Sequence, residues 1–422
     1  MSTDQTLALK RLLAPLPDLL PALEAAYKDI HAHPELSMQE QRTAALAARH
    51  LADEGYEVTT GIGQTGVVGL MRNGEGPTVM LRADMDALPI LEDTGLAYAS
   101  TATATDPAGK AVPVAHACGH DMHVAWLMGA SALFARTRDA WKGTLIVLFQ
   151  PGEETAQGAR AMIDDGLFEA FPKPDIVLGQ HVMVGAAGTV AGSAGPITSA
   201  ADSFEIRLFG RGAHGSMPQA SVDPVVMAAS VVMRLQGIVS REVAATEAAV
   251  VTVGVLQAGT KENVIPDEAL IKLNVRSFDA GVRSRVLAAI RRIVEAEAAA
   301  SGAPRPPEIT PLDSYPLNVN DRQASDRVAQ AFRAHFSTER VFHTGPAPAS
   351  EDFGCFGTEW QAPSVFWFVG GTDPAAYAQA KAAGRLNDLP VNHSPHFAPV
   401  LHPTLAIGVE AMAAAALAWN AA

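Results

Sequence analysis

Cysteine is scarce in this chain. Its 422 residues include two, Cys118 and Cys355, which make no disulfide framework. The N-terminal stretch also reads unlike a secretory leader. The opening stretch MSTDQTLALKRLLAPLPDLL lacks the basic start, the continuous apolar segment and the small-residue cleavage site of one. No apolar run approaches the roughly 20 residues of a membrane span. Basic residues are outnumbered, 31 Lys and Arg against 45 Asp and Glu, giving a formal charge of −14. That surface argues against nucleic acid or an anionic membrane as the main partner, and any anionic substrate needs a local positive site. No internal repeat is present, and no long low-complexity segment beyond alanine richness. The expectation from these absences is a cytoplasmic protein without a nucleic-acid or membrane partner.

What is present is a large core. Hydrophobic residues make up 48% and charged residues 18% of the sequence, which fits a globular protein. The length exceeds one ordinary compact core and suggests two domains, one interrupted by the other. In the first 190 residues, helical patterns over 5–31, 38–54, 121–137 and 156–165 alternate with apolar runs at Thr78–Leu81, Thr144–Phe149 and Ile176–Leu178. This alternation predicts an α/β domain, a largely parallel buried sheet flanked by helices. Each run passes into polar residues at its carboxyl end: TVML into RADMD, TLIVLF into QPGEE, IVLG into QHV. Ligands of open α/β sheets collect at that edge. A further strand, SVFWFVGG, and an Ala-rich helix over about 403–420 complete the pattern. Between them the order changes to β-α-β-β-α with room for one more strand, predicting a smaller α+β unit of split βαβ, ferredoxin-like type. AGSAGP and SGAPRPPEITP read as hinges. The predicted division is 1–194 and 308–422 for the main domain, 195–307 for the insert.

The run VAHACGHDMHVAW (114–126) gathers His116, Cys118, His120, Asp121 and His123. Spacing by two would point the first, third and fifth of the run His116–His120 the same way in extended chain. Asp121 stands where a helix cap is expected. A thiol there is acidified, and thiolate with imidazole suits zinc and other borderline metals. A buried cysteine among ordinary loop histidines is the alternative. Glu153 and Glu154 after one strand, His181 after another, and His393 and His396 near the C-terminus extend the set. In extended geometry one Glu binds metal while its neighbour faces a metal-bound water.

Taken in order, HAHPELSMQE, LRADMDALPI, HACGHDMH, FQPGEETAQGA, GRGAHGSMP, NVIPDEALIKLNVRSF, SEDFG and NHSPHF resemble the M20 metallopeptidases, specifically the amidohydrolase branch with hippurate and auxin-conjugate hydrolases. The resemblance covers nearly the whole chain. It implies a centre of two divalent metal ions, zinc or manganese with cobalt or nickel also accommodated. Cys118 would bind both ions, with His120, Glu154, His181 and His393 as further ligands. Glu153 would be the general base and Asp86 would orient a ligand. His214 would stabilise the oxyanion, reaching a neighbouring subunit's site, so the insert would serve as lid and dimerisation domain of a homodimer. Asn263 and Arg276 would bind substrate, Arg276 through its free carboxylate. Asp84 stands where the classical peptidases of the family have a histidine, and Cys118 where they have Asp. Both departures match the amidohydrolase branch and argue against a typical carboxypeptidase.

The remaining residues receive blander expectations: His31 and His33 as structural loop residues near the cleft mouth, His116 and His123 as support for the ligands, Cys355 as a plain buried thiol, and Glu351 and Asp352 lining the site. The resemblance implies hydrolysis of an N-acyl amino acid to a carboxylic acid and a free amino acid. A dipeptidase or N-acetyl amino acid deacetylase is the alternative within the family. A non-catalytic metal-binding or regulatory protein is the alternative of another class.

Overall fold

The computed structural model describes residues 3–420. Two compact units emerge, one formed by Met1–Ile197, Val319–Gly345 and Asp352–Ala422, the other by Thr198–Asn318 and Pro346–Glu351. The sequence reading set the insert at 195–307. The second unit runs to 318 because Glu308–Tyr315 is a strand paired with Ala200–Phe209.

The first unit is built on an eight-stranded sheet. Its order is Glu57–Ile62, Gly66–Asn73, Gly143–Gln150, Thr78–Asp84, Ile176–Ala186, Ser364–Thr372, Val190–Gly192 and Val341–His343. The four central strands, from Gly143–Gln150 to Ser364–Thr372, run parallel. They are apolar on both faces because helices cover both. Of the strand Thr78–Asp84 only Thr78 is not fully buried. The helix His120–Arg136 is buried from His120 through Phe134. Such all-round burial marks a helix running through the core.

The helix Leu401–Asn420 packs beside it. Trp126 Nε1 donates to the Thr404 carbonyl at 3.0 Å. The helices approach so closely that a methyl group on Gly408 would lie 2.0 Å from Trp126 Cε2. This last helix also corrects the expectation that no apolar run approaches a membrane span, since it has 20 residues and a mean hydropathy of 1.4. It lies 72% buried within the protein, so its apolar surface already has a partner.

Two further readings change. The helix expected over 5–31 is two, Thr3–Leu13 and Leu16–Ala32. Pro15 and Pro17 sit at the break, Pro17 in the first turn of the second helix, where its missing N–H leaves no bond unmade, while Pro21 is carried inside that helix. His31 is therefore helical, not in a loop, and it is buried. Cys355 is partly exposed in the short helix Gly354–Trp360, not fully buried.

The second unit is a four-stranded antiparallel sheet ordered Ala249–Ala258, Glu268–Ser277, Ala200–Phe209, Glu308–Tyr315. Numbered along the chain this is 2-3-1-4, the ferredoxin-like order, with helices Pro224–Arg241 and Ala280–Ala300 packed on it. Strict alternation along Glu268–Ser277 gives it one buried face, as period-2 patterning requires.

Candidate metal centre

The site lies at the carboxyl ends of the parallel strands of the first unit. Thr78–Asp84 delivers Asp84 and, two residues on, Asp86. Gly143–Gln150 leads into the turn bearing Glu153 and Glu154, and Ile176–Ala186 carries His181. Cys118 and His120 flank Gly119, which adopts a left-handed conformation at φ 86° directly before the helix. A side chain there would also meet Val182 at 2.4 Å. This one residue turns the chain so that a thiol and an imidazole face the same space. The arrangement is a turn, not the extended run expected for His116, Cys118 and His120. Gly119 holds the cap position, and Asp121 sits inside the first helical turn, accepting from its neighbour Met122 N at 2.9 Å.

Overlapping trios of donor atoms, each within 4.8 Å of one another, link the candidates: Cys118, His120 and His181; Cys118, Glu154 and His393; His120, Glu153 and Glu154. Cys118 Sγ is 3.4 Å from His181 Nε2, and His393 Nε2 is 3.3 Å from Glu154 Oε2. His120 Nε2 faces Glu153 Oε2 at 3.9 Å and Glu154 Oε1 at 3.8 Å. The two glutamates thus share one histidine across a turn. They are not splayed to opposite sides as extended chain would place them.

The opposite ring nitrogens are already engaged. His120 Nδ1 lies 3.2 Å from Asp86 Oδ1, and His181 Nδ1 donates to the Val182 carbonyl at 2.8 Å. Each bond directs Nε2 inward; on His181 it is the lone-pair atom, and on His120 it would offer a lone pair once a cation displaces its proton. Asp86 is itself held by Ser37 Oγ at 2.6 Å and Glu154 N at 3.0 Å.

Electrostatics mark the same place. Burial pushes the His120 imidazole down, but Asp84, Cys118 and Asp86 outweigh it and hold the ring well above its usual range. Burial holds His181 well below it. Burial and the Glu154 charge push the Cys118 thiol up, against the acidified thiol expected from its place before a helix. His120 Nε2 and Glu154 Oε1 are buried without a hydrogen-bond partner among the described residues. These unpartnered polar atoms beside a thiol, two more imidazoles and a second carboxylate fit divalent cations of intermediate softness. Cations would offset the mutual repulsion of the carboxylates and favour the thiolate.

His123 stays outside this ligand set. Its Nδ1 binds Asp84 Oδ1 at 2.5 Å, and its Nε2 accepts from Val182 N at 2.9 Å. His116 is buried, has no hydrogen-bond partner among the described residues, and is pushed down to about 4 by burial. His396 is exposed and binds the Asp93 carbonyl at 2.7 Å. His31 lies between Asp121 Oδ2 at 2.6 Å and Glu92 Oε1 at 3.0 Å. His33 is exposed, bonded to the Asp29 carbonyl at 2.7 Å.

The other candidates belong to the second unit. His214 and Asn263 are exposed and adjacent, with Gly215 N donating to the Asn263 carbonyl at 2.8 Å and His214 Nδ1 lying 2.8 Å from Ser216 Oγ. Arg276 is half-buried and donates to the Pro348 carbonyl at 2.7 Å and Ser350 Oγ at 3.0 Å. Glu351 also belongs to this unit.

The sequence reading missed Arg82, Gln150 and Glu40, all buried beside the site. Arg82 had a visible signal, a lone charge within the apolar strand TVMLRAD. Glu40 accepts from Gly152 N at 2.8 Å, a partnership its surface-like sequence context does not betray.

A family model described as Peptidase family M20/M25/M40 matches residues 80–394. Thermostable carboxypeptidase 1 of Saccharolobus solfataricus is 36% identical over 81% of this chain and 84% of its own length. Hippurate hydrolase of Campylobacter jejuni is 39% identical over 80% and 86%. A solved dinuclear metal-binding peptidase of the M20 family from Bacillus subtilis superposes with a TM-score of 0.74 at 30% identity, covering 95% of this chain and 98% of that one.

Proposed function

This chain belongs to peptidase family M20/M25/M40, and from that premise we propose that it hydrolyses the amide bond of N-acyl amino acids, releasing a carboxylic acid and a free amino acid. The observation that carries this reading is the convergence of Cys118, His120, Glu154, His181 and His393 beside a second carboxylate, Glu153. Divalent ions, zinc or manganese, would be held by Cys118, His120, Glu154, His181 and His393 and would supply Lewis acidity and a more acidic water.

The residues of the chain do the rest. Glu153 takes the proton of the attacking water on its carboxylate and delivers it to the leaving nitrogen. Asp86 fixes the tautomer of His120 through Nδ1. Arg276 recognises the substrate carboxylate with its guanidinium, Asn263 adds a polar contact, and His214 donates to the oxyanion.

The layout of its sheet supports a homodimer through the second unit. His214 and Asn263 lie beyond the Phe209/Glu268 end, while Arg276 pairs with Ala201 near the other. The eight intervening residues of strand span about 26 Å. If both ends serve one small substrate, a second copy would have to supply one of them. Ala249–Ala258 is an edge strand, and the neighbouring helix exposes Val226 by 62% and Met233 by 73%, surfaces a second copy would cover.

The test is hydrolysis of N-benzoyl-, N-acetyl- and indole-acetyl-amino acids by metal-stripped chain reloaded with each ion. Glu153→Gln should lower kcat by about 10²- to 10⁴-fold while metal content, read by elemental analysis, stays at the wild-type level. A wild-type chain that binds metal and cleaves none of the panel would instead be a binding protein.

A further inference from the structure

Glu153 and Glu154 ride on a turn between the strand Gly143–Gln150 and the helix Gly158–Asp164, with left-handed backbone at Gly152 and Ala156. A turn of this kind does not aim a carboxylate by itself. Three buried carboxylates from elsewhere hold it. Glu40 accepts from Gly152 N, and Asp86 accepts from Glu154 N. Asp352 takes the two flanks together. Its oxygens accept from Gln150 Nε2 at 2.7 and 2.9 Å, and Oδ2 accepts from Ala159 N at 3.1 Å. The last residue of the strand and the second of the helix are thus stapled by one side chain some 200 positions away.

Asp352 also touches the ligand side. Arg82 donates to Asp352 Oδ1 at 3.1 Å, to Gln150 Oε1 at 2.8 Å and to Asp84 Oδ2 at 2.7 Å. Asp84 in turn holds His123 and lies 3.7 Å from His120 Nε2. One carboxylate oxygen of Asp352 is within 4.8 Å of one of Glu153. Asp84 already balances the Arg82 charge, so a second buried carboxylate costs desolvation without being needed for neutrality. Burial lifts the Asp352 carboxyl to about 6 even with Arg82 beside it. A like charge behind Glu153 disfavours its swinging back from the histidine it faces.

We propose that Asp352 is a positioning residue for Glu153: it staples both ends of the 151–158 turn and, by like-charge repulsion, keeps the Glu153 carboxylate directed at the metal ligands. The proposal rests on the amidohydrolase reading. It is tested in the full-length chain with Asp352→Asn, which retains one acceptor oxygen and no charge, and with Gln150→Met, which opens the staple but leaves the Arg82–Asp352 pair.

With N-benzoylglycine, N-acetylmethionine and indole-acetylalanine as probes, kcat per metal-loaded molecule should fall about 10- to 100-fold in Asp352→Asn. It should fall less in Gln150→Met, and KM should stay within about twofold in both. In the metal-free chains, amide exchange across 151–159 should quicken in both variants relative to wild type. If Asp352→Asn does not fold, Gln150→Met decides by the same two readouts. A kcat within about twofold of an active wild type, or a loss that only tracks metal content, overturns the proposal. So does unchanged exchange. A wild type that cleaves no probe overturns the amidohydrolase reading and the role with it.

Discussion

The two units treat their polar residues in opposite ways. In the first, His120, Asp84, Asp86, Arg82, Gln150 and Asp352 are all at most 1% exposed, and their hydrogen bonds run from one to the next. In the second, His214 and Asn263 are exposed, and Arg276 is half-buried against backbone and a serine. Groups that must be held within a fraction of an ångström are locked by packing before any substrate arrives. Groups that recognise an incoming molecule stay accessible and are completed by what binds them. On the proposed function, the first unit would carry pre-organisation and the second recognition.

Substitutions can break this contrast. The largest effect is expected inside the locked network. Asp86→Asn leaves its neighbours in place but weakens the hold on His120 Nδ1. Metal affinity, measured by competition with a chelator, should drop about 10- to 100-fold, with kcat falling alongside.

In the open unit, Arg276→Ala should instead raise KM about tenfold and leave metal affinity unchanged, since a charge-assisted contact on a half-buried side chain is worth about 1.5 kcal/mol, the low end of its range. Arg276→Lys should restore little of it, because an ammonium does not reproduce the fork. Equal losses of kcat and metal from Arg276→Ala would erase the division of labour.

The contrast extends to pH. Burial pushes His31 down, but Asp121 and Glu92 overcome it and raise the imidazole to about 10. A raised folded value means that the protonated ring stabilises the fold. The contribution is complete below the unfolded value of about 6.5 and fades as pH climbs through 10. In urea titrations, the stability gap between wild type and His31→Gln should therefore narrow from pH 6 to 10. A gap independent of pH would mean that the ring is held by packing alone.

The smallest effect on catalysis is expected at Gly408. Gly408→Ala forces Trp126 to shift and should cost about 1–3 kcal/mol in stability. Trp126 stacks on His123 with ring centroids 5.3 Å apart, so the variant also reports whether core strain reaches the site through kcat.

Much of this was legible in the chain because the relevant signals are local. The central strands announced themselves as apolar runs ending in polar residues. The alternation of EALIKLNVRS gave the half-buried strand of the second unit. Glu153, Glu154 and His181 stand out by residue type after apolar strands, Cys118 and His120 at a helix start, and the family resemblance singles these out together with His393; all six converge. What escaped depends on distant pairing. Arg82 and Asp352 meet across 270 positions, and nothing near Asp352 states that a buried guanidinium awaits it. His31 was placed in a loop because Pro34 follows closely, yet the helix runs to Ala32 and turns the ring inward. Backbone direction was the other blind spot. Cys118–His120 and Glu153–Glu154 were read as extended, and the left-handed residues Gly119 and Gly152 made both into turns.

The sheet of the first unit has a consequence for biosynthesis. Its strand Ser364–Thr372 lies between Ile176–Ala186 and Val190–Gly192, and the helix Leu401–Asn420 fills the centre of its core. A ribosome has therefore made more than four hundred residues before this hydrophobic interior can close. Most of the ferredoxin-like insert, residues 198–318, emerges well before that and has its own core to fold around. While translation continues, the half-made α/β unit has the helices Gln41–Asp53 and His120–Arg136 on its strands but lacks Ser364–Thr372 and Leu401–Asn420, which leaves apolar surface exposed until they arrive.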